Sequence, residues 1–236
     1  MGLPFIIFVV ITVSACASQQ HPLTTTSADS MKERRLAVTA RPPTPFFVTE
    51  PEESAATALA VALVGVAGRA AGKSDAGDRI FRENGIADPA PHLAQQLRDD
   101  LQRRYGLKLD REAIYVTDED PKQITAAHPA ADLVLDVWIN NLSLEPFSQG
   151  SKKYGLKYSA YLRLIDARVV HPIDGKKGLV IARGTCSRIL EETPSTPTYD
   201  DFLANGAQRL IREIDVATQF CVDEFRSTVL TAGPTP

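Results

Sequence analysis

Ala131-Asp132-Leu133-Val134-Leu135-Asp136-Val137-Trp138-Ile139-Asn140-Asn141-Leu142-Ser143-Leu144 is the stretch on which the fold turns. Leu133, Leu135, Val137 and Ile139 recur at every second position, the period of a strand with one buried face. Leu156 to Ala167 repeats the pattern through Leu156, Tyr158, Ala160, Leu162 and Leu164, and the link between the two runs holds Pro146, Gly150 and Gly155. His171-Pro172 and Asp174-Gly175 then signal a turn. A third run, Leu179 to Leu190, places Val180, Ala182, Gly184 and Cys186 on one side. Three consecutive strands joined by turns predict an antiparallel meander.

Working outward toward the C-terminus, Pro194 and Pro197 precede Thr198 and Asp201, a capping pair that starts a helix. Leu203, Ala207, Leu210, Ile214, Ala217 and Cys221 follow at steps of three and four, so a long amphipathic helix runs to about Val229. Toward the N-terminus, Pro121 to Ala127 reads as a short helix and Glu112 to Thr117 as a strand. Leu93, Leu97, Leu101 and Tyr105 mark a helix over Pro89 to Tyr105 that stops at Gly106. Gly72 to Gly85, polar and punctuated by glycine, reads as a loop. Ser54 to Ala71, rich in Ala, Leu and Val behind Glu52 and Glu53, reads as a buried or interfacial helix. Arg35 to Ala40 alternates briefly, and Pro42, Pro43 and Pro45 lead into Phe46-Phe47-Val48, an edge strand or extended arm. This order predicts a two-layer α/β arrangement of the α+β kind: a mostly antiparallel sheet, helices packed on one side, and a long C-terminal helix.

Composition bounds the function. Of 236 residues, 44% are hydrophobic and 23% charged, close to globular averages, so neither wholesale disorder nor a polytopic membrane protein fits. A net charge of −3 supplies no general field for phosphate backbones, which disfavours nucleic acid as a partner. Lys32 to Arg35 and Arg103-Arg104 read as solvated surface.

At the N-terminus, Phe5 to Val13 is apolar except for Thr12, and too short for a membrane span of about 20 residues. A signal-peptide core accounts for it. Val13-Ser14-Ala15-Cys16 follows: an aliphatic residue, two small ones and a cysteine. This resembles the lipobox of bacterial lipoproteins, although Met1 to Pro4 carries no Lys or Arg. The resemblance implies cleavage before Cys16 and acylation of its thiol, with residues 1–15 as leader. Ala17, rather than Asp, is similar to the pattern of lipoproteins sent to the outer membrane, facing the periplasm. Several acyl chains, at about 0.8 kcal/mol per buried CH₂, make a stable anchor without a transmembrane helix. Ser18 to Ser30, polar and aperiodic, reads as flexible, so residues 16–33 form the lipidated cysteine and tether, 34–230 a single periplasmic domain, and 231–236 a disordered tail.

With Cys16 assigned to lipid, Cys186 and Cys221 remain. The first lies on the inward side of a strand, the second on the apolar stripe of the last helix, and an oxidising compartment favours a disulfide between them. Two buried free thiols are the alternative. His21, His92, His128 and His171 stand at no ligand spacing from a cysteine, so no metal is expected.

Chemistry is sparse in the body. Ala67-Gly68-Arg69-Ala70-Ala71-Gly72-Lys73-Ser74 resembles a relaxed phosphate-binding loop, and Leu133-Val134-Leu135-Asp136 resembles the strand that ends in a magnesium-organising acid. A true P-loop needs a strand before it and a helix after it. The flanking residues here predict the reverse, so a helix end is expected and no nucleotide or other cofactor. No Gly-x-Ser-x-Gly elbow or His-Glu-x-x-His helix is present. Asp132 and Asp136 share a strand face with Trp138, and Glu191-Glu192 follows another strand; paired carboxylates could do acid/base work, but solvated or hydrogen-bonded surface acids are the expected reading. Trp138, Tyr154, Tyr158 and Tyr161 are either contact residues or, as packing favours, part of the core. The expected function is a non-enzymatic accessory or scaffold lipoprotein bound to the membrane by its anchor and to an envelope protein by its sheet or helix faces. Its element order is weakly similar to small α/β lipoproteins that assist secretion channels or wall-synthesis enzymes. A carrier of a small or lipidic ligand, or an envelope hydrolase, are the alternatives.

Overall fold

The computed structural model describes residues 20–49, 51, 75–110, 113–170 and 177–232. Cys16, the expected helix over Ser54 to Ala71, the phosphate-loop look-alike and His171 lie outside them. The described elements, in chain order, are α1 (Thr25–Asp29), β1 (Arg35–Ala40), β2 (Phe47–Val48), α2 (helical at residues 75–84), α3 (Pro89–Tyr105), β3 (Lys108–Leu109), β4 (Ile114–Tyr115), α4 (Pro121–Ala127), β5 (Leu133–Pro146), β6 (Tyr154–Val170), β7 (Lys177–Ile189) and α5 (Tyr199–Thr228).

The meander is present. β5 and β6 pair antiparallel from Leu133↔Asp166 to Pro146↔Tyr154, and β6 and β7 pair antiparallel beside them. The register of β5 and β6 shifts between Ile139 and Asn141, where one residue bulges out. That shift changes the parity of the strand, so Leu133, Leu135, Val137 and Ile139 on one side of the bulge and Leu142 and Leu144 on the other all reach the same core. Around the meander the sheet grows by short parallel pairings: β1 with β5, β3 and β4, and β2 with the far end of β5. The main path runs β3-β1-β5-β6-β7, giving an open, mixed sheet of seven strands.

The long helices cover one face. α3 packs on β5 and against α5, while α5 lies over β6 and β7. Leu93, Leu97, Leu101, Leu210, Ile214 and Phe225 meet the inward leucines of the sheet, all buried. The ends of these helices follow their sequence signals. The Asp88 side chain accepts a hydrogen bond from the Ala90 N–H at 3.0 Å, Pro89 occupies the first turn, and Gly106 closes α3 at φ 64°. Thr198 and Asp201 form the reciprocal capping box. α5 is not continuous: Asn205, Gly206 and Ala207 adopt left-handed backbone angles, so a tight turn separates a short first segment from the long amphipathic helix. On the opposite face, α4 and its Ile124 cover a small cluster of Ala37, Val116, Ala131, Val134 and Ile165.

Four expectations need correction. Residues 20–33 do not form a free tether. Leu23 and Met31 are buried, α1 is capped by Thr24, the Leu23 N–H donates to the Val229 carbonyl at 2.8 Å, and His21 pairs with Arg183 of β7. Leu23 and Met31 are too few to give a sequence period, yet both side chains are buried in the main core. The supposed loop through Gly72 to Gly85 is helical at residues 75–84. Gly77 is there for close approach rather than for a turn, since a Cβ at Gly77 would lie 1.6 Å from the Phe46 carbonyl oxygen. Phe81 of the same helix stacks near Phe46, ring centroids 4.8 Å apart. Gly77→Ala should therefore lower stability by about 2 to 3 kcal/mol, because the clash is with backbone, and a reduced urea midpoint at unchanged slope would register it. Val180 does not share the side of Ala182 and Cys186. The β6–β7 register shifts between Leu164 and Ile165, which turns Val180 toward the α4 cluster. Finally, Thr231 belongs to the body, not to a tail: its hydroxyl accepts from Arg104 at 2.7 Å.

Candidate functional site

The face of the sheet away from α3 and α5 carries the densest polar chemistry in the described residues. It is assembled from neighbouring strands at one level. Thr39 comes from β1 and Arg41 follows it, Asp136 and Trp138 come from β5, and Tyr161 and Arg163 from β6. Strand alternation explains the placement: with Val38, Val137 and Leu162 turned to the core, these partners must turn the other way. Register then aligns them, Asp136 opposite Arg163 and Trp138 opposite Tyr161.

Asp136 is fully buried. Arg41 donates to it through Nε at 2.8 Å and Nη2 at 2.6 Å, Arg163 through Nε at 2.7 Å, and the Thr39 hydroxyl at 2.5 Å. Burial by itself would raise the carboxyl's pKa. Hydrogen bonds from Arg41 and Thr39 and the charge of Arg163 prevail and hold it below the usual carboxylate range. The remaining donors of Arg41 go to backbone, with Nη1 reaching the Asp118 carbonyl at 2.8 Å. Arg163 Nη2 has no hydrogen-bond acceptor. Its guanidinium lies 5.1 Å from the centre of the Trp138 ring, as does that of Arg41, so the indole face serves both cations. Tyr161 stacks on Trp138 at 4.4 Å. One carboxylate between two guanidinium groups leaves an excess of one positive charge, spread over an aromatic pair that remains half-buried.

A second buried pair lies near the N-terminal end of β5, on the side of the sheet that Leu36, Leu133 and Leu164 share. Arg34 grips Asp166 with both Nη atoms and reaches the Asp132 carbonyl at 2.9 Å. His128 ends α4 and is buried with Nε2 unpartnered; burial lowers its pKa, against the attraction of Asp110 and Asp136.

The residues singled out from sequence fall apart into different roles. Asp132 and Asp136 do not act as a pair of solvated acids. Asp132 accepts the Arg35 N–H at 2.9 Å at the surface, and Asp136 is the buried centre of the ion cluster. Glu191 and Glu192 are exposed. Tyr154 and Tyr158 are core residues, whereas Trp138 and Tyr161 are on the open face. Cys186 and Cys221 are joined in a disulfide with Cα atoms 5.5 Å apart. No group of His, Cys, Asp and Glu suited to a metal occurs among the described residues. Sequence reasoning missed Arg34, Arg41, Arg163 and Asp166. The available signal was an acid or a base set inside an apolar run, as in Leu135-Asp136-Val137 and Leu162-Arg163-Leu164, where burial would force a partner.

The clefts beside this face are modest. One of about 230 Å³ opens between β1 and the start of α3, lined by Val38, Arg41, Asp88, Pro91, Arg98 and Val137. Another, of about 560 Å³, lies beneath α4 and includes His128 and Arg168.

No protein-family model matches the chain, and no curated protein does. Solved structures similar at low identity include three from bacteria. A hypothetical protein, CT253 from Chlamydia trachomatis, is 12% identical, with 80% of this chain and 98% of that one covered at a TM-score of 0.33. Lipoprotein GNA1162 from Neisseria meningitidis is 14% identical, with coverage of 78% and 96% and a TM-score of 0.25. A PelC dodecamer from Paraburkholderia phytofirmans gives 13%, 80% and 89%, and 0.24.

Proposed function

We propose that this protein is an acyl-anchored envelope lipoprotein that acts without catalysis, as an accessory or scaffold, and that it docks a partner on the open sheet face. The observation that carries the reading is the half-buried Trp138, fixed between two guanidinium groups and Tyr161 on a face that neither long helix covers. Trp, Tyr and Arg dominate binding energetics at interfaces, most of all when their rotamers are set before the partner arrives. The Asp136 carboxylate is spent on its neighbours: it accepts from three side chains, an arrangement that fits a rigid platform better than a general base awaiting substrate.

Other support comes from the lipobox-like Val13-Ser14-Ala15-Cys16, and from the disulfide, which suits an oxidising compartment. No helix among the described residues is long and apolar enough to cross a membrane. The carrier alternative has less in its favour, since the cleft of about 560 Å³ beneath α4 is lined by Lys122, Gln123, Thr125, His128, Asp132 and Arg168 rather than by the mainly apolar and aromatic side chains of ordinary ligand pockets. An outer-membrane address, with the body in the periplasm, follows from Ala17 within this reading.

Crosslinking in native membranes tests the platform. Trp138→Ala should cut partner capture about tenfold or more, since truncating an aromatic anchor costs roughly 2 kcal/mol, with the thermal midpoint only slightly lowered. Unchanged capture by a folded variant would remove the sheet face from the account.

A further inference from the structure

Resting on the anchor reading, we infer that the body sits directly on the lipid surface through one edge: β7 from Thr185 to Ile189 together with the outer side of α5 at Val216 and Phe220. The body starts only a few residues after Cys16. Gln20 is already fixed, its Nε2 donating to the Thr185 carbonyl at 2.8 Å. His21 exchanges backbone hydrogen bonds with Arg183 at 2.8 and 2.9 Å, and Leu23 is buried. Only four residues of chain lead from Cys16 to Gln20, and a fully extended chain advances about 3.5 Å per residue, so the acylated sulfur has a leash of about 14 Å at most. A span that short holds the domain at the headgroups.

Direction follows from the pairing. His21 lies antiparallel to β7, so the chain upstream of it approaches from the side of Thr185 and Cys186, not from the side of Leu179. The lipid is thereby delivered to the second half of β7. On the α5 side that edge exposes Val216 at 46% and Phe220 at 40%, and Ile189, at 60%, is exposed at the end of β7 from its other face. Val216 and Phe220 are one helical turn apart, and Phe220 adjoins Cys221, which the disulfide ties to Cys186 of β7. The Arg188 guanidinium lies 5.6 Å from the Phe220 ring, and Arg212 is exposed one turn before Val216. Apolar side chains that dip toward acyl chains, flanked by arginines whose heads stay with phosphates, are the chemistry of an interfacial surface. The occupant is thus a bilayer surface. In this orientation Ile114 and Tyr115 of β4, paired to β1 on the far side of the sheet, point away from it.

The test uses the full-length acylated chain in vesicles of phosphatidylethanolamine and phosphatidylglycerol, with bromine on the acyl chains as fluorescence quencher. Trp138 is the sole tryptophan, so Trp138→Phe provides a silent background in which Phe220→Trp and Tyr115→Trp report on opposite edges. Val216→Trp replaces the first probe if circular dichroism finds that variant unfolded. The inference expects at least about half of the emission at the α5 probe to be lost and almost none at Tyr115→Trp, since interfacial side chains sink about 5 to 10 Å into the headgroup boundary. Intact mass read on the same sample separates the two claims. An acyl mass with equal or reversed quenching overturns the orientation alone, and the absence of an acyl mass overturns the anchor and the orientation with it.

Discussion

Asp136→Asn should lower the stability of the protein by about 3 to 5 kcal/mol, the largest effect expected of any single substitution on the open face. The cost arises from what stays behind. Arg41 and Arg163 keep their charges in a buried site, side-chain exposures 8% and 9%, with no anion between them. Against a total stability of about 5 to 15 kcal/mol, such a loss brings many domains near unfolding at physiological temperature. The same carboxylate sets an acid limit. Its folded pKa is depressed, so its contribution is fully present above the unfolded value of about 3.9 and disappears as pH falls through the folded one. Urea titrations between neutral pH and about pH 3 should find this part of the acid loss in the wild type and not in Asp136→Asn. A variant as stable as the wild type at neutral pH would mean that the guanidinium groups reach water, contrary to the burial described.

Replacing both cysteines, Cys186→Ala with Cys221→Ala, should cost roughly 3 to 4 kcal/mol, because the bridge closes a loop with a sequence separation of 35 and the denatured chain gains that loop's freedom once the bridge is gone. For a domain of this size the melting temperature should fall by on the order of 10 °C. Both substitutions are made together so that no lone thiol remains to oxidise. The sulfurs belong to buried residues between β7 and α5, so a reductant should reach them only when that interface opens. Reduction by dithiothreitol that is fast in native conditions, with no loss of stability on reduction, would contradict a structural role.

What could be read from sequence and what could not divide along a physical line. The meander and α3 announced themselves because alternation and four-residue spacing are local: Leu133 to Ile139, Leu156 to Leu164, and Leu93 to Tyr105 each repeat within one element. The Cys186–Cys221 pair was legible because each cysteine sat on an apolar side of its own element. The parallel additions were not legible. β1 meets β5 across nearly a hundred residues, and β2, β3 and β4 are two residues long, too short for any period to appear. The buried ion cluster was hidden for a related reason. Asp136 looks like a surface acid until Thr39, Arg41 and Arg163 arrive from the strands on either side of it. Residues 20–33 misled through composition. A polar segment with Leu23 and Met31 in it reads as a tether, whereas these two side chains fix it to the body.

Cys16 is the proposed point of attachment. Cells labelled with an alkynyl palmitate analogue, expressing the wild type or Cys16→Ala, decide it directly. The wild type should take up label, migrate as the chain shortened by its first 15 residues, and accumulate unprocessed when the lipoprotein signal peptidase is inhibited, while Cys16→Ala takes up none. A wild-type chain that stays unlabelled, or that is processed alike with and without the inhibitor, contradicts the anchor and the function built on it.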